Sequence, residues 1–253
     1  MKRVDSVISL IYSMSKAEKK AFSVQMLKDK EEKDYLVIYD IITKSKQLDS
    51  KNVKGEFHKR RPGGSFEVSI QYLYERLTDS LLTLRKKKDI YYDLLNNLCK
   101  ARMLYERSLF EECFEILSDT IEQATYYENN EVLTIALKLE LEYLLRLNFP
   151  NLAESELYHK HFMQNEALKK TRKIVEQSSL HNLLKYRLSH IGSIRTSKQK
   201  QDMNDLMVNE LSIAASSGIE GNFELMRNHR LFQANYLMGA GEYKACLLYT
   251  SPS

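Results

Sequence analysis

The sequence predicts an all-α protein, and three observations support this fold class. Its 253 residues include only 8 Gly and 3 Pro, far fewer than tightly turned β architectures need. Long stretches rich in Leu, Lys, Glu and Tyr run without helix breakers. Apolar residues recur at the period of an amphipathic helix from the start of the chain, at Val4, Val7, Ile8 and Ile11.

The first 90 residues contain clear signals for where helices begin and end. Ser15 and Glu18 have the spacing of a capping box, in which each side chain bonds the other residue's backbone N–H. Asp49 or Ser50 is suited to cap a short helix. The sequence therefore predicts helices over 16–28, 35–46 and 50–58, a loop over 61–64, and a long helix after Ser65. Its predicted buried stripe is Phe66, Ile70, Leu73, Leu77, Leu81 and Leu84.

Residues 91–245 are predicted to form helical hairpins joined by short polar segments. The helix predicted over 131–147 is apolar on more than one face, as expected for a helix packed between neighbours. The chain therefore divides into an N-terminal helical module, 1–90, and an α-solenoid, 91–245. The joints fall at 107–108, 128–130, 148–151, 192–200, 216–222 and 239–241.

Two of these joints resemble the turn of a tetratricopeptide repeat. In Leu104–Cys113 and again in Tyr236–Ala245, a small residue turns the chain and an aromatic residue follows it two positions later. The joints at 108, 148, 192 and 241 are 40, 44 and 49 residues apart, whereas the family period is 34. The resemblance implies a divergent tetratricopeptide-like solenoid with lengthened repeats.

Residues 4–120 also resemble a group of cytoplasmic helical-repeat proteins from Bacteroidetes-type bacteria. The resemblance implies a cytoplasmic helical-repeat protein and brings no activity with it. A cytoplasmic location also fits the absence of any export signal or apolar run of the roughly 18 residues that a membrane span requires. The matching segments are Met14–Phe22, Tyr35–Ile41, Phe66–Leu84 and Tyr105–Leu117.

The last eight residues, Cys246–Ser253, resemble the translation of a sequencing adapter. This resemblance implies a gene cut near Ala245 and an artefactual tail. The alternative is a short, frayed C-terminus. Loss of later repeats would uncover an apolar face, so we expect the fragment to self-associate.

Charge is segregated along the chain. Residues 1–90 contain 20 Lys and Arg against 13 Asp and Glu, whereas residues 91–165 contain 6 against 13. The blocks therefore either attract each other or face different partners, unless the charged helices are simply solvated.

The basic N-terminal module suggests nucleic-acid binding as one function. The helices around the 61–64 loop could form a helix-turn-helix-like unit, although this loop is longer than the usual turn. Phosphate contacts require only positive charge, whereas no residue pair is clearly placed to distinguish bases. The candidate phosphate-binding residues are Lys59, Arg60, Arg61, Arg76, Arg85, Lys86, Lys87 and Lys88.

The leading hypothesis is a scaffold that binds a protein or peptide, since stacked hairpins form a grooved surface. Tyrosine suits such grooves because it combines apolar area with a hydrogen-bonding tip. The acidic block would favour a basic partner. The alternative for each tyrosine is packing between helices. The candidate groove residues are Tyr91, Tyr92, Tyr126, Tyr127 and Tyr143.

Signals for enzymatic chemistry are missing, so we predict that the protein is not an enzyme and needs no cofactor or metal. The sequence has no phosphate-binding glycine loop, nucleophile elbow or zinc-protease motif. Cys99 and Cys113 are expected to pack as small apolar residues. Glu140 and Glu142 are expected on a solvated face.

Overall fold

The computed structural model describes residues 2–26, 33–45, 49–86, 88–192, 194, 196–217 and 222–244. These residues form eleven helices and no strand, which confirms the all-α prediction. The helices are α1 (Lys2–Ser13), α2 (Lys16–Met26), α3 (Asp34–Lys44), α4 (Ser50–Arg60), α5 (Phe66–Lys86), α6 (Ile90–Glu106), α7 (Phe110–Tyr126), α8 (Asn130–Arg146), α9 (Glu154–Ile191), α10 (Ser197–Ser217) and α11 (Phe223–Gly239).

The chain divides into two compact units, unit 1 over Met1–Asp93 and unit 2 over Leu94–Ser253. In unit 1, helices α1 to α5 share one apolar core. The predicted stripe of α1 is buried, and Phe66, Ile70, Leu73 and Leu77 of α5 are buried against it. Leu81 is partly buried at the edge of this core.

Local signals in unit 1 act as the sequence predicts. The Ser15 hydroxyl accepts a hydrogen bond from the Glu18 amide at 3.3 Å, and the Glu18 carboxylate accepts one from the Ser15 amide at 2.7 Å. The pKa of the Glu18 carboxyl is lowered, chiefly because the carboxylate accepts this hydrogen bond from the Ser15 backbone N–H. Asp49 caps α4 by accepting from the Asn52 amide at 2.8 Å.

Helix ends differ from the predicted ends by a few residues. The predicted helix over 35–46 ends at Lys44, where Ser45 adopts an extended conformation, and Lys46 lies outside the described residues. The predicted short helix continues past His58 to Arg60. Cys246–Ser253 also lies outside the described residues.

Unit 2 repeats one type of turn. After α6, α7, α8 and α11, a backbone N–H bonds the carbonyl five residues earlier, as in the Schellman motif. The residue before each donor has a positive φ, and these residues are Ser108, Glu128, Asn148 and Gly241. The first three turns are 20 residues apart, and helices α6, α7 and α8 contain 17 residues each. Hairpins of α6, α7 and α8 therefore have a regular geometry.

The regularity ends at α9, which contains 38 residues. At a rise of about 1.5 Å per residue, this helix is about 57 Å long. α8, α10 and α11 all pack on it. Leu184 of α9 lies in an apolar cluster with Met203, Leu206 and Phe232. α9 is therefore the element on which the second half of unit 2 is assembled.

Candidate functional site

One side of α7 carries a row of acidic side chains, which we call the α7 acidic face: Glu111, Glu115, Asp119 and Glu122. All four are exposed, and their spacing places them on one side of the helix. The opposite side is anchored by Cys113, Leu117 and Ala124, each 0% exposed. Among the described residues, none of the four carboxylates is in an ion pair. Like charges at these spacings repel, so a cationic partner would be favoured there.

Exposed aromatic residues lie at the C-terminal end of the α7 acidic face. Tyr126 and Tyr127 are 79% and 54% exposed, and their rings meet edge to face at 4.9 Å. The Glu128 carboxylate accepts a hydrogen bond from the Phe223 amide at 2.9 Å. This bond brings the N-terminus of α11, where Phe223 is 65% exposed, to the same end of α7. The sequence did not indicate Phe223, which is 95 residues from Glu128.

Tyr143 is not part of this exposed surface, and its prediction as a groove residue is corrected. It is 5% exposed, and its ring stacks on that of Tyr105 at 3.7 Å. Burial raises the pKa of the Tyr143 hydroxyl. Its side chain packs against Tyr105 of α6. Burial likewise raises the pKa of the nearby Cys113 thiol. Cys113 is buried as expected, whereas Cys99 is exposed, so the prediction that Cys99 packs as a small apolar residue is wrong.

Tyr91 and Tyr92 lie in unit 1, in the first turn of α6. They are 42% and 37% exposed and their rings meet edge to face at 6.1 Å. These two tyrosines and the Tyr126–Tyr127 pair therefore lie in different units.

The predicted phosphate-binding residues near the 61–64 loop are paired with acidic groups. Lys59 pairs with Glu56 at 2.6 Å, and Arg60 pairs with Asp40 at 3.0 Å. Arg61 lies 3.6 Å from the Asp34 carboxylate. These partly exposed ion pairs reduce the positive potential available to phosphate.

The remaining predicted cations lie along α5 and just after it. The Arg76 guanidinium donates to the Tyr72 hydroxyl at 2.8 Å and lies over its ring at 4.9 Å. Arg85 and Lys88 are exposed near the Glu18 carboxylate, and Lys86 is half-buried. Lys87 lies outside the described residues.

A cavity of about 390 Å³ in unit 1 brings together other cations. Arg3 of α1 and Lys51 and Lys54 of α4 line it, and its apolar wall includes Val4, Phe66 and Ile70. Lys54 is paired with Glu67 at 2.6 Å. The sequence did not indicate this cavity, because its lining residues come from three helices, α1, α4 and α5.

Two buried glutamates are also new. Glu140, expected to be solvated, is 6% exposed and pairs with Lys160 of α9 at 2.8 Å. Glu210 of α10 is 0% exposed and holds three side chains of α9 and α11. Its carboxylate accepts from Gln177 at 3.3 Å and Gln233 at 2.9 Å, and lies 2.6 Å from His229 Nδ1.

The Glu210 cluster fits a packing role. A fully covered carboxylate whose two oxygens are both hydrogen-bonded holds its neighbours together, and such networks fix one arrangement of helices.

Among the described residues, no group of His, Cys, Asp and Glu side chains could hold a metal ion.

No protein-family model, curated protein or solved structure matches the chain at a significant level. Within the described part of the chain, no helix has both the length and the apolar character of a membrane span.

Proposed function

We propose that the protein is a non-enzymatic scaffold for protein–protein interaction, in which tetratricopeptide-like hairpins of unit 2 bind a basic segment of a partner. The observation that carries this proposal is the α7 acidic face, which ends at exposed aromatic side chains. Four carboxylates in one row repel one another, and a cationic partner relieves that repulsion. Tyr126, Tyr127 and Phe223 then offer apolar contact area beside the charges.

The recurring turn supports the tetratricopeptide-like part of the proposal. Helices α6, α7 and α8 are equal in length, and each ends in the same hydrogen-bonded turn with a left-handed residue. Stacked hairpins of this kind present side chains of successive helices on one continuous surface. The 38 residues of α9 depart from the family pattern, so the proposal concerns the hairpins before it.

The geometry of the face defines the chemistry of the partner. Glu111 and Glu122 are about 16 Å apart along the axis of α7. A segment with three or four Lys or Arg side chains over this length, followed by an apolar side chain, would match it. Such a segment binds by charge first, so its affinity falls as salt is added.

The test is fluorescence anisotropy of the full chain with two labelled synthetic peptides. One is an amphipathic peptide rich in Lys and Arg, and the other has Glu at every basic position. We expect only the basic peptide to bind. The double variant Glu115→Lys/Asp119→Lys should weaken binding by about tenfold or more, because like charges then face each other.

A matched control is Glu75→Lys/Asp79→Lys on α5, which changes net charge equally and has the same spacing. Both of its positions are exposed in unit 1. This control should bind the basic peptide nearly as well as the parent chain. Equal losses in the two double variants would contradict the proposal, as would the absence of binding at low salt.

Nucleic-acid binding by unit 1 is the second candidate, favoured by the cavity lined with Arg3, Lys51 and Lys54. Here, random-sequence DNA and RNA should bind the full chain with a steep salt dependence. Lys51→Glu/Lys54→Glu should abolish that binding, while Lys16→Glu/Lys20→Glu on α2 is the control. No binding at low salt would eliminate this candidate.

A further inference from the structure

The long helix α9 exposes a row of apolar side chains along one side, which we call the α9 apolar row. Its members are between 47% and 69% exposed, although they are large. At 100° per residue they fall within a little over a third of the helix circumference. They span 28 residues, or about 42 Å. The row consists of Tyr158, Phe162, Leu168, Val175, Leu183 and Tyr186.

The other side of α9 is occupied by its own unit. Ala167, Gln177 and Leu184 are each 2% exposed or less. On that side Lys160 pairs with Glu140 of α8 at 2.8 Å. The exposed row is therefore not the core-facing side of the helix. An exposed apolar row of this length is typical of an interaction surface.

The order of residues in the row is symmetric about Arg172. Tyr158 and Tyr186 lie fourteen residues before and after it. Phe162 and Leu183 lie ten before and eleven after, and Leu168 and Val175 lie four before and three after. When two copies of such a helix pack antiparallel with Arg172 at the centre, residues at nearly equal distances before and after Arg172 face each other. Tyrosine then meets tyrosine at both ends, Phe162 meets Leu183, and aliphatic meets aliphatic at the centre.

Polar residues on the same side follow the same symmetry. Asn165 and Ser179 lie seven residues before and after Arg172, so an amide faces a hydroxyl. Lys169 lies three before and Glu176 four after, which places opposite charges across the pair. At the ends, Glu154 lies eighteen before and His190 eighteen after. Antiparallel alignment also sets the positive end of each helix dipole beside the negative end of the other.

From this symmetry we infer that the α9 apolar row binds the α9 apolar row of a second copy, antiparallel, with the two-fold axis at Arg172. A two-fold interface requires a self-complementary surface, and the row has that property. The two Arg172 side chains meet near the axis. Each is already neutralised by Glu176 of its own helix, at 2.9 Å, so their repulsion is reduced. The inference concerns α9 and is independent of the proposed function of α7.

The first test is analytical ultracentrifugation of the full chain over a concentration series. We expect a reversible monomer–dimer equilibrium. Leu168→Lys/Val175→Lys places four like charges near the axis and should raise the dissociation constant at least about tenfold. Leu145→Lys/Val208→Lys changes two apolar residues on α8 and α10 that are at least as exposed, and it should leave the equilibrium unchanged.

A charge swap tests the register. Lys169→Glu and Glu176→Lys should each weaken the dimer, and the double variant should restore it. Within one helix, the pairs Glu166–Lys169 and Arg172–Glu176 are both lost in the double variant. The carboxylate introduced at position 169 can also pair with Arg172 within the same helix. Recovery of the double variant relative to Lys169→Glu alone, which has the same carboxylate, must therefore come from contacts between copies.

Three results would overturn the inference. These are a monomer at every concentration, a Leu168→Lys/Val175→Lys variant that dimerises like the parent, and a double swap no better than the single changes.

Discussion

The two units bury their apolar residues in different ways. In unit 1, five helices contribute to one core, in which Phe22, Ile38, Phe57 and Leu73 are each 0% exposed. In unit 2, α7 packs on α8, and α8, α10 and α11 pack on α9, while large apolar side chains such as Tyr126, Tyr158 and Phe162 stay exposed. Unit 1 also exposes single apolar side chains such as Val68, but those of unit 2 include an aromatic pair at the end of α7 and a row along α9.

The same contrast holds for charge. Unit 1 is net positive, but three of its predicted phosphate-binding cations lie in ion pairs with Glu56, Asp40 and Asp34. Unit 2 contains 18 Lys and Arg against 20 Asp and Glu, which is close to neutral. That balance conceals an acidic face on α7 and a basic second half of α9. Local arrangement therefore indicates a binding surface better than net charge does.

The largest expected effect is the loss of a large side chain from the unit 1 core. Phe57→Ala removes a ring packed against Phe66, with ring centroids 5.4 Å apart, and should reduce the free energy of unfolding by about 3–5 kcal/mol. Hydrogen exchange measured by mass spectrometry should show faster exchange in α1 to α5. Equal acceleration in α10 and α11 would mean that the units do not unfold separately.

The matching change in unit 2 removes the Glu210 carboxylate. Glu210→Ala leaves the buried donors of Gln177 and Gln233 without their acceptor, which should cost roughly 3 kcal/mol. Exchange should accelerate in α9 to α11 and stay unchanged in α1 to α5. Glu210→Gln, which retains one acceptor oxygen, should cost less. Equal losses for Ala and Gln would show that the hydrogen bonds contribute little.

Helix caps offer a smaller, matched comparison. Asn129 accepts from the Val132 amide at 3.1 Å in unit 2, and Asp49 accepts from the Asn52 amide at 2.8 Å in unit 1. Asn129→Ala and Asp49→Ala should each cost about 1 kcal/mol. Denaturant unfolding followed by circular dichroism, with local exchange rates, would assign each loss to its unit. A loss well below this value at Asn129 would indicate that stacking fixes the turn without the cap.

The smallest effect concerns pH. Burial lowers the pKa of His181 below its usual 6.5, and His181 Nε2 lies 3.0 Å from the Asn235 amide nitrogen. A neutral ring can accept that hydrogen bond. The unfolded chain therefore binds the proton more readily. Stability from the neutral ring is present above pH 6.5 and declines as pH falls below it.

Unfolding midpoints of unit 2 measured between mildly acidic and mildly alkaline pH would check this prediction. His181→Gln should flatten that part of the profile, since the variant has no group that titrates there. An unchanged slope in the variant would assign the pH dependence to other groups.

The sequence predicts correctly those features that depend on residues close together along the chain. The capping box at Ser15, the first four residues of the α5 stripe and the joints at Ser108 and Gly241 are all local signals, and each occurs as predicted. Leu81 and Leu84, at the end of that stripe, are only partly buried. The sequence does not predict contacts between side chains that are far apart along the chain. Nothing near Glu140 in the sequence indicates Lys160, and the Glu210 cluster unites residues from three helices. For Tyr143 the sequence allowed either a groove position or packing between helices, and only the contact with the distant Tyr105 decides for packing.

We propose that unit 2 binds a basic partner through α7 and that unit 1 does not. Hydrogen exchange of the full chain with and without the Lys- and Arg-rich peptide tests this most directly. We expect slower exchange in α7 and at the turn before α8, no change in α1 to α5, and no protection in Glu115→Lys/Asp119→Lys. Protection confined to unit 1, or protection of α7 that persists in that variant, would contradict it.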